Sequence, residues 1–149
     1  MQKRELVITT LNEMGLKTNI SSSGDIYFFY EMKSFIIPIS EQESNYIVVL
    51  FYQFEELDKQ NPLQTLTICN KMTRELRMVK VYVDETFDSV SASCEFYYKR
   101  KSDLKENLEK SLEIFSVLRT AFIMNKNSLD KELDGSNSDS EQKAEDDNC

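Results

Sequence analysis

Apolar side chains recur along this chain at two different spacings, and the switches between them mark its elements. Leu6, Val7, Thr10, Leu11 and Met14 lie three or four residues apart, the period of a helix that buries one stripe. Gly15 follows directly and suits a left-handed C-terminal cap, with Leu16 folding back on the last turn. Residues 19–25 hold a Ser/Gly cluster that reads as a turn, with a short strand expected just before it. The aromatic and β-branched runs 26–30 and 35–39, joined by polar residues 31–34, predict a hairpin. Pro38 has no N–H to give a ladder, so its strand end belongs at an edge or a bulge. Residues 46–52 are apolar at every position, which predicts a strand buried on both faces.

The second half repeats the alternation of periods. Asn61-Pro62-Leu63-Gln64 is a helix start, with Asn as cap, Pro at the first helical position and Gln three after the cap. Leu63, Leu66, Cys69, Met72 and Leu76 form its expected stripe. From Arg77 the period becomes two, with Val79, Val81 and Val83 opposite Met78, Lys80 and Tyr82. A turn over 84–88 leads to a return strand in which Val90, Ala92, Cys94, Phe96 and Tyr98 alternate with Ser89, Ser91, Ser93, Glu95 and Tyr97. One side is core and the other largely wet. Ser102 is a suitable cap for a last helix carrying Leu104, Leu108, Leu112, Phe115, Leu118 and Phe122. The predicted order is α-β-β-β-β-α-β-β-α. Short turns force antiparallel pairing, giving an α+β fold with three helices and an antiparallel sheet of about five to six strands.

Composition sets the boundaries. The chain has 149 residues, the size of one domain. Beyond Met124 only Leu129 and Leu133 are large and apolar; acids outnumber bases eight to three, so residues 125–149 carry −5 of the total −8. Such a segment is expected to be a disordered acidic tail, leaving 1–124 as the folded domain. The N-terminus lacks the apolar stretch of a secretory signal, and no run is long enough to cross a bilayer. The expected location is the cytoplasm, with no membrane partner.

Little in the sequence speaks for catalysis. Histidine is absent, which removes the commonest general base and metal ligand together. Three cysteines without a Cys-x-x-Cys pair do not make a zinc site. The carboxylate pairs Glu55-Glu56 and Asp84-Glu85 fall in expected loops, whereas acid–base work near neutral pH needs burial to raise a carboxyl. Asp25, Glu41 and Glu43 lack the spacing of a calcium loop. Lys99-Arg100-Lys101 beside Tyr97 and Tyr98 imitates a basic, aromatic nucleic-acid patch, but three cations on an acidic chain give weak attraction to polyphosphate. No enzyme activity, cofactor, metal or nucleic-acid partner is expected. A small enzyme or ligand-binding domain without recognisable motifs stands as a distant alternative.

What remains is surface for another protein. If the three helices lie on one side of the sheet, the other is left with aromatic and aliphatic side chains, and exposed apolar patches of several hundred Å² mark contact sites. Tyr27, Phe29, Tyr82 and Tyr97 share the outer parity and are the expected partner-binding residues. A partner protein or a second copy would cover them, or an extended peptide would add a strand to the sheet edge. The opposing reading is a closed monomer in which one helix seals the second face.

Residues 70–84, NKMTRELRMVKVYVD, resemble the bacterial YbjN family, labelled candidate sensory transduction regulators. Its members run a helix with an Asn-x-x-Asn turn into a Leu-x-[Leu/Met]-Val-Lys-Val-Tyr-x-Asp strand. Leu11-Asn12-Glu13-Met14-Gly15-Leu16 and the aromatic hairpin over 26–39 are similar too, and the likeness spans roughly 1–122. Thr73 stands in place of the second Asn, and the tail lies outside the pattern. The resemblance implies a fold like the class I type III secretion chaperones, small acidic cytoplasmic dimers that bind extended segments of partner proteins. It implies a regulator or chaperone-like adaptor, or else a type III secretion-type chaperone for one partner, and brings no catalytic residues. Asn70 reads as an amide satisfying backbone at the helix–strand junction, and Lys80 as a solvated strand cation.

Overall fold

The changes of hydrophobic period coincide with changes of element in the computed structural model, which describes residues 2–40 and 42–146 and only the backbone of 135–146. The order is α1 (Lys3–Glu13), β1 (Thr18–Ile20), β2 (Ile26–Tyr30), β3 (Lys33–Ile37), β4 (Tyr46–Glu56), α2 (Pro62–Glu75), β5 (Val79–Val83), β6 (Ser89–Tyr97) and α3 (Lys101–Asp146). All pairings are antiparallel and the strands lie in the order β1-β2-β3-β4-β6-β5. This is the expected α+β arrangement.

Local chemistry accounts for the boundaries. α1 ends in a Schellman motif: Gly15 takes φ +83°, its N–H donates to Asn12 O, and Leu16 N–H donates to Leu11 O. Glu31 and Met32 both have positive φ, the pattern of a two-residue type I′ turn. β3 therefore begins at Lys33, two residues earlier than expected. Asn61 caps α2, its side chain accepting from Gln64 N–H at 3.3 Å, with Pro62 in the first turn. α3 starts at Lys101, ahead of Ser102, and the Asp103 carboxylate accepts the Arg100 N–H.

Three expectations are corrected. The buried stripe of α2 is Gln64, Thr65, Ile68, Cys69 and Met72, while Leu63 and Leu66 face solvent. β4 is buried on one face only, through Ile47, Val49 and Phe51. It also runs on through a bulge at Gln53 (φ +50°), so Glu55 and Glu56 are strand residues, not loop residues. The backbone of α3 runs as helix to Asp146, through the segment read from composition as an acidic tail. Leu129 packs against the core and Asp130 Oδ1 accepts from Gln64 Nε2 at 2.6 Å, so the boundary at 124 falls inside this helix. Leu129 repeats the Phe122 position two turns on, a periodicity that bulk composition conceals. Residues 147–149 lie outside the described residues.

One core holds the molecule together. Val7 and Leu11 of α1, Ile68 and Met72 of α2, and Leu104, Leu108, Phe115, Leu118 and Phe122 of α3 join the sheet residues Ile26, Phe28, Phe35, Ile37, Ile47, Val49, Phe51, Val81, Val90, Ala92 and Cys94. Phe35 is at its centre, its ring 5.0–5.4 Å from those of Phe28, Phe51 and Phe115. Every one of these sheet residues points to the same side. The three helices therefore form one layer and the sheet the other.

Candidate protein-binding surface

The second side of the sheet is built by the alternate residues. Register places Tyr27 opposite Ile36, Ile36 opposite Leu50, Leu50 opposite Ser93 and Ser93 opposite Lys80, a row crossing five strands. A second row, two residues along, carries Phe29 opposite Ser34 and Ser91 opposite Tyr82, with Tyr52 two residues beyond Leu50 on β4. Toward the other end, Val48 faces Glu95 and Tyr46 faces Tyr97, their rings 4.9 Å apart. None of these residues belongs to the core.

Among the described residues, no helix covers this face. Phe29 is 61% exposed, Tyr97 67% and Tyr52 52%, and Tyr27, Ile36, Tyr46, Val48, Leu50 and Tyr82 are half-buried. Ser91 and Ser93 are sunk between bulkier neighbours, and Ser91 Oγ accepts the Gln53 N–H at 2.8 Å where the bulge turns β4. The only charged side chains of these rows are Lys80 and Glu95, which pair with each other. Burial and the Glu95 carboxylate raise the Tyr46 hydroxyl above its ordinary pKa. Burial, then the charges of Asp84 and Glu95, do the same for Tyr82. Both hydroxyls stay protonated donors well into alkaline solution.

The four residues singled out from the sequence, Tyr27, Phe29, Tyr82 and Tyr97, lie on this one face at its two sides and one end. The sequence reading missed its middle: Ile36, Tyr46, Val48, Leu50 and Tyr52. Their signal was present, because 46, 48, 50 and 52 share a parity, but a strand apolar at every position hides which half faces out. Lys80, read as a solvated cation, is an ion-pair partner. The junction role expected of Asn70, which is exposed, falls to Thr73, whose Oγ1 accepts Val81 N–H at 2.9 Å and donates to Val81 O at 3.1 Å. That hydroxyl occupies outward-facing backbone groups of the edge strand β5. The opposite edge, β1, is three residues long and largely exposed.

The other candidate groups are dispersed. Asp25 receives Ile39 N–H on one oxygen and the Ser23 hydroxyl on the other, and Glu41 lies outside the described residues. Glu55 pairs with Arg119 at 3.6 Å. Lys101 reaches Glu13, and Tyr98 points inward, donating to Ser44 O, while Tyr97 points outward. The basic run and its two tyrosines thus share no platform. Burial pushes the Cys94 thiol up to about 12 and that of Cys69 up to about 11, which leaves both as inert packing groups. Among the described residues, no helix is long and apolar enough to cross a membrane.

The geometry defines a two-layer α+β protein with one helix-covered sheet face and one bare aromatic face. Its fold is similar to that of YbjN from E. coli, whose solved structure is described as that of a candidate transcription regulator: the TM-score is 0.61 at 10% identity over 84% of this chain and 92% of that one. The type III secretion chaperone SycH of Yersinia pestis, solved with a stable fragment of YscM2, is a more distant likeness, with TM-score 0.48 and 13% identity over 80% of this chain and 97% of that one. No protein-family model and no curated protein matches the sequence.

Proposed function

We propose that this chain is a non-enzymatic, cytoplasmic protein-binding module, an adaptor or regulator of the YbjN kind, acting through its bare sheet face. The observation that carries this reading is that all three helices pack on one side, which leaves an aromatic and aliphatic face whose middle rows carry one pair of charges, Lys80 and Glu95, bound to each other. Tyrosine-rich surfaces suit protein contact, because each ring offers a large apolar area, little rotamer entropy and a hydroxyl for a hydrogen bond. Tyr27, Phe29, Tyr82 and Tyr97 are its proposed contact residues. The bare β1 edge supports strand addition by an extended peptide as a second mode of contact on the same sheet, since Thr73 occupies the β5 edge.

Binding of an apolar fluorescent dye tests this reading. The full chain is expected to bind it, and Phe29→Lys combined with Tyr97→Lys to lose most of the signal while the thermal midpoint stays within a few degrees. A wild-type chain that binds no dye and no partner, with its outer tyrosines freely nitrated under all conditions, would overturn it.

A further inference from the structure

Leu63 opens the stripe expected of α2 but is 72% exposed, and Leu129 and Leu133 are the only large apolar side chains of an acidic segment. All three meet at one corner of the helix layer. With Thr67 and Glu132 they line a recess of about 580 Å³ between the start of α2 and the far part of α3. Asp130, accepting from Gln64 Nε2 at 2.6 Å, ties the two walls together. We propose that this recess docks an amphipathic helix of a partner protein, apolar on the side that enters it and basic on the flank that lies along α3. The site belongs to the helix layer, so it does not depend on the reading of the bare sheet face.

Volume and wall structure argue for a helix. A cavity of about 150 Å³ holds one benzene-sized group, so the recess admits about three large side chains. A helix presents such a set at positions i, i+3 or i+4, and i+7. Both walls are helices, and the ridges of a third helix pack into the groove between two. An extended segment would need a strand edge to satisfy its backbone groups, and neither wall offers one.

Charge decides the flank. From Asn61 to Asn70 α2 has no charged side chain, so that wall is neutral. The other wall is acidic: from Asp130 to Asp146, α3 carries seven acids against Lys131 and Lys143, a net −5 out of the chain's −8. Beyond Phe122, whose ring meets Phe54 of β4, this helix continues for about 24 residues, or about 36 Å. Cations spaced along a partner helix therefore meet acidic sequence over several turns. The end of α3 adds to this, because Glu145 and Asp146 stand where a helix dipole favours positive charge. A second copy of this chain is the wrong occupant, since it brings its own −8 toward that charge.

Fluorescence anisotropy on the full chain tests the proposal with a designed probe. The probe is a peptide of about 18 residues, five helical turns, built of leucine and lysine with the leucines on one helical face. One companion replaces lysine by glutamate, and another shuffles the order. The Leu/Lys probe is expected to bind and gain helicity, and both companions to bind about 10-fold or more weakly. Leu63→Lys should weaken the Leu/Lys probe about 10-fold or more, through the lost apolar contact and the added like charge. Glu132→Lys, at an exposed helix position, should weaken it several-fold, and serves as the test if Leu63→Lys disturbs the fold. Phe29→Lys should leave it unchanged. A chain that binds none of the probes, or binds either companion as well as the Leu/Lys probe, overturns the proposal. Binding that Leu63→Lys and Glu132→Lys both spare overturns it too; if Phe29→Lys removes that binding, the contact lies on the sheet face and the reading of that face stands.

Discussion

The two faces of the sheet are made by the same strands and end in opposite environments. On the inner side Phe28, Phe35 and Phe51 stack with one another and with Phe115 of α3. One residue away along the same strands, Tyr27, Phe29 and Leu50 have their strand neighbours and solvent but no helix over them. The inner side mixes aliphatic residues with phenylalanine, whereas the outer side has phenolic hydroxyls, two buried serines and an ion pair. What separates the two faces is whether many of the groups keep a polar end for water. The composition of a strand reports its apolarity, and the polar ends report which apolar half the fold has left uncovered.

The largest break of this contrast is expected from truncating one phenylalanine on each side. Phe35→Ala should destabilise by about 3–5 kcal/mol, the range for emptying a buried aromatic site. Phe29→Ala, at 61% exposure, should cost no more than about 0.5 kcal/mol in the isolated subunit. Denaturant melts of the two variants at a concentration that holds them monomeric would show it, and equal losses would refute the one-sided core.

Alkaline pH sharpens the same contrast through the thiols. The folded state holds the Cys94 and Cys69 protons up to about 12 and about 11, against 9.0 for a free thiol. A group whose folded pKa is raised contributes stability that is intact below the unfolded value and lost as pH climbs toward the folded one. Stability should therefore decline as pH rises from about 9 toward 11 and 12, by about 1.4 kcal/mol per pH unit for each thiol. Replacing both with serine-sized apolar alanine should flatten that slope, whatever it does to the absolute stability.

Smaller effects belong to the edges and turns. Thr73→Val keeps the shape but loses both bonds to Val81. It should cost about 1 kcal/mol and speed amide exchange in β5 before any other strand. Met32→Gly places the residue best suited to positive φ in the β2–β3 turn, where Met32 has φ +63°. A gain of about 0.5–1 kcal/mol is expected, read as a raised thermal midpoint.

The order of elements was legible because each change of period coincides with a chemical stop: Gly15 after α1, Asn61-Pro62 before α2, the charged run before α3. Side chains that are ambiguous at the surface were less so. Leu63 and Leu66 look like an apolar stripe, yet the helix turns Gln64 and Thr65 inward, since Gln64 finds Asp130 and no sequence window spans that pair. The candidate surface was half legible: its parity was readable from β5 and β6, where polar and apolar positions alternate, and unreadable in β2 and β4, whose runs 26–30 and 46–52 are apolar or aromatic at every position. The contact of Leu129 with the core had little signal in the sequence, because net charge dominates that segment and the contribution of one leucine is local.

The hydroxyl of Thr73 has a consequence for what large assemblies this sheet can enter. A ribbon that grows without limit needs a vacant margin on each side of every unit, so that each newcomer presents the next docking strip. Here α2 stands against one margin with Thr73 in place of a neighbouring strand, and the remaining margin is three residues long. Whatever joins the sheet at β1 finishes it, and the protein is thereby biased toward closed, countable complexes and away from fibres.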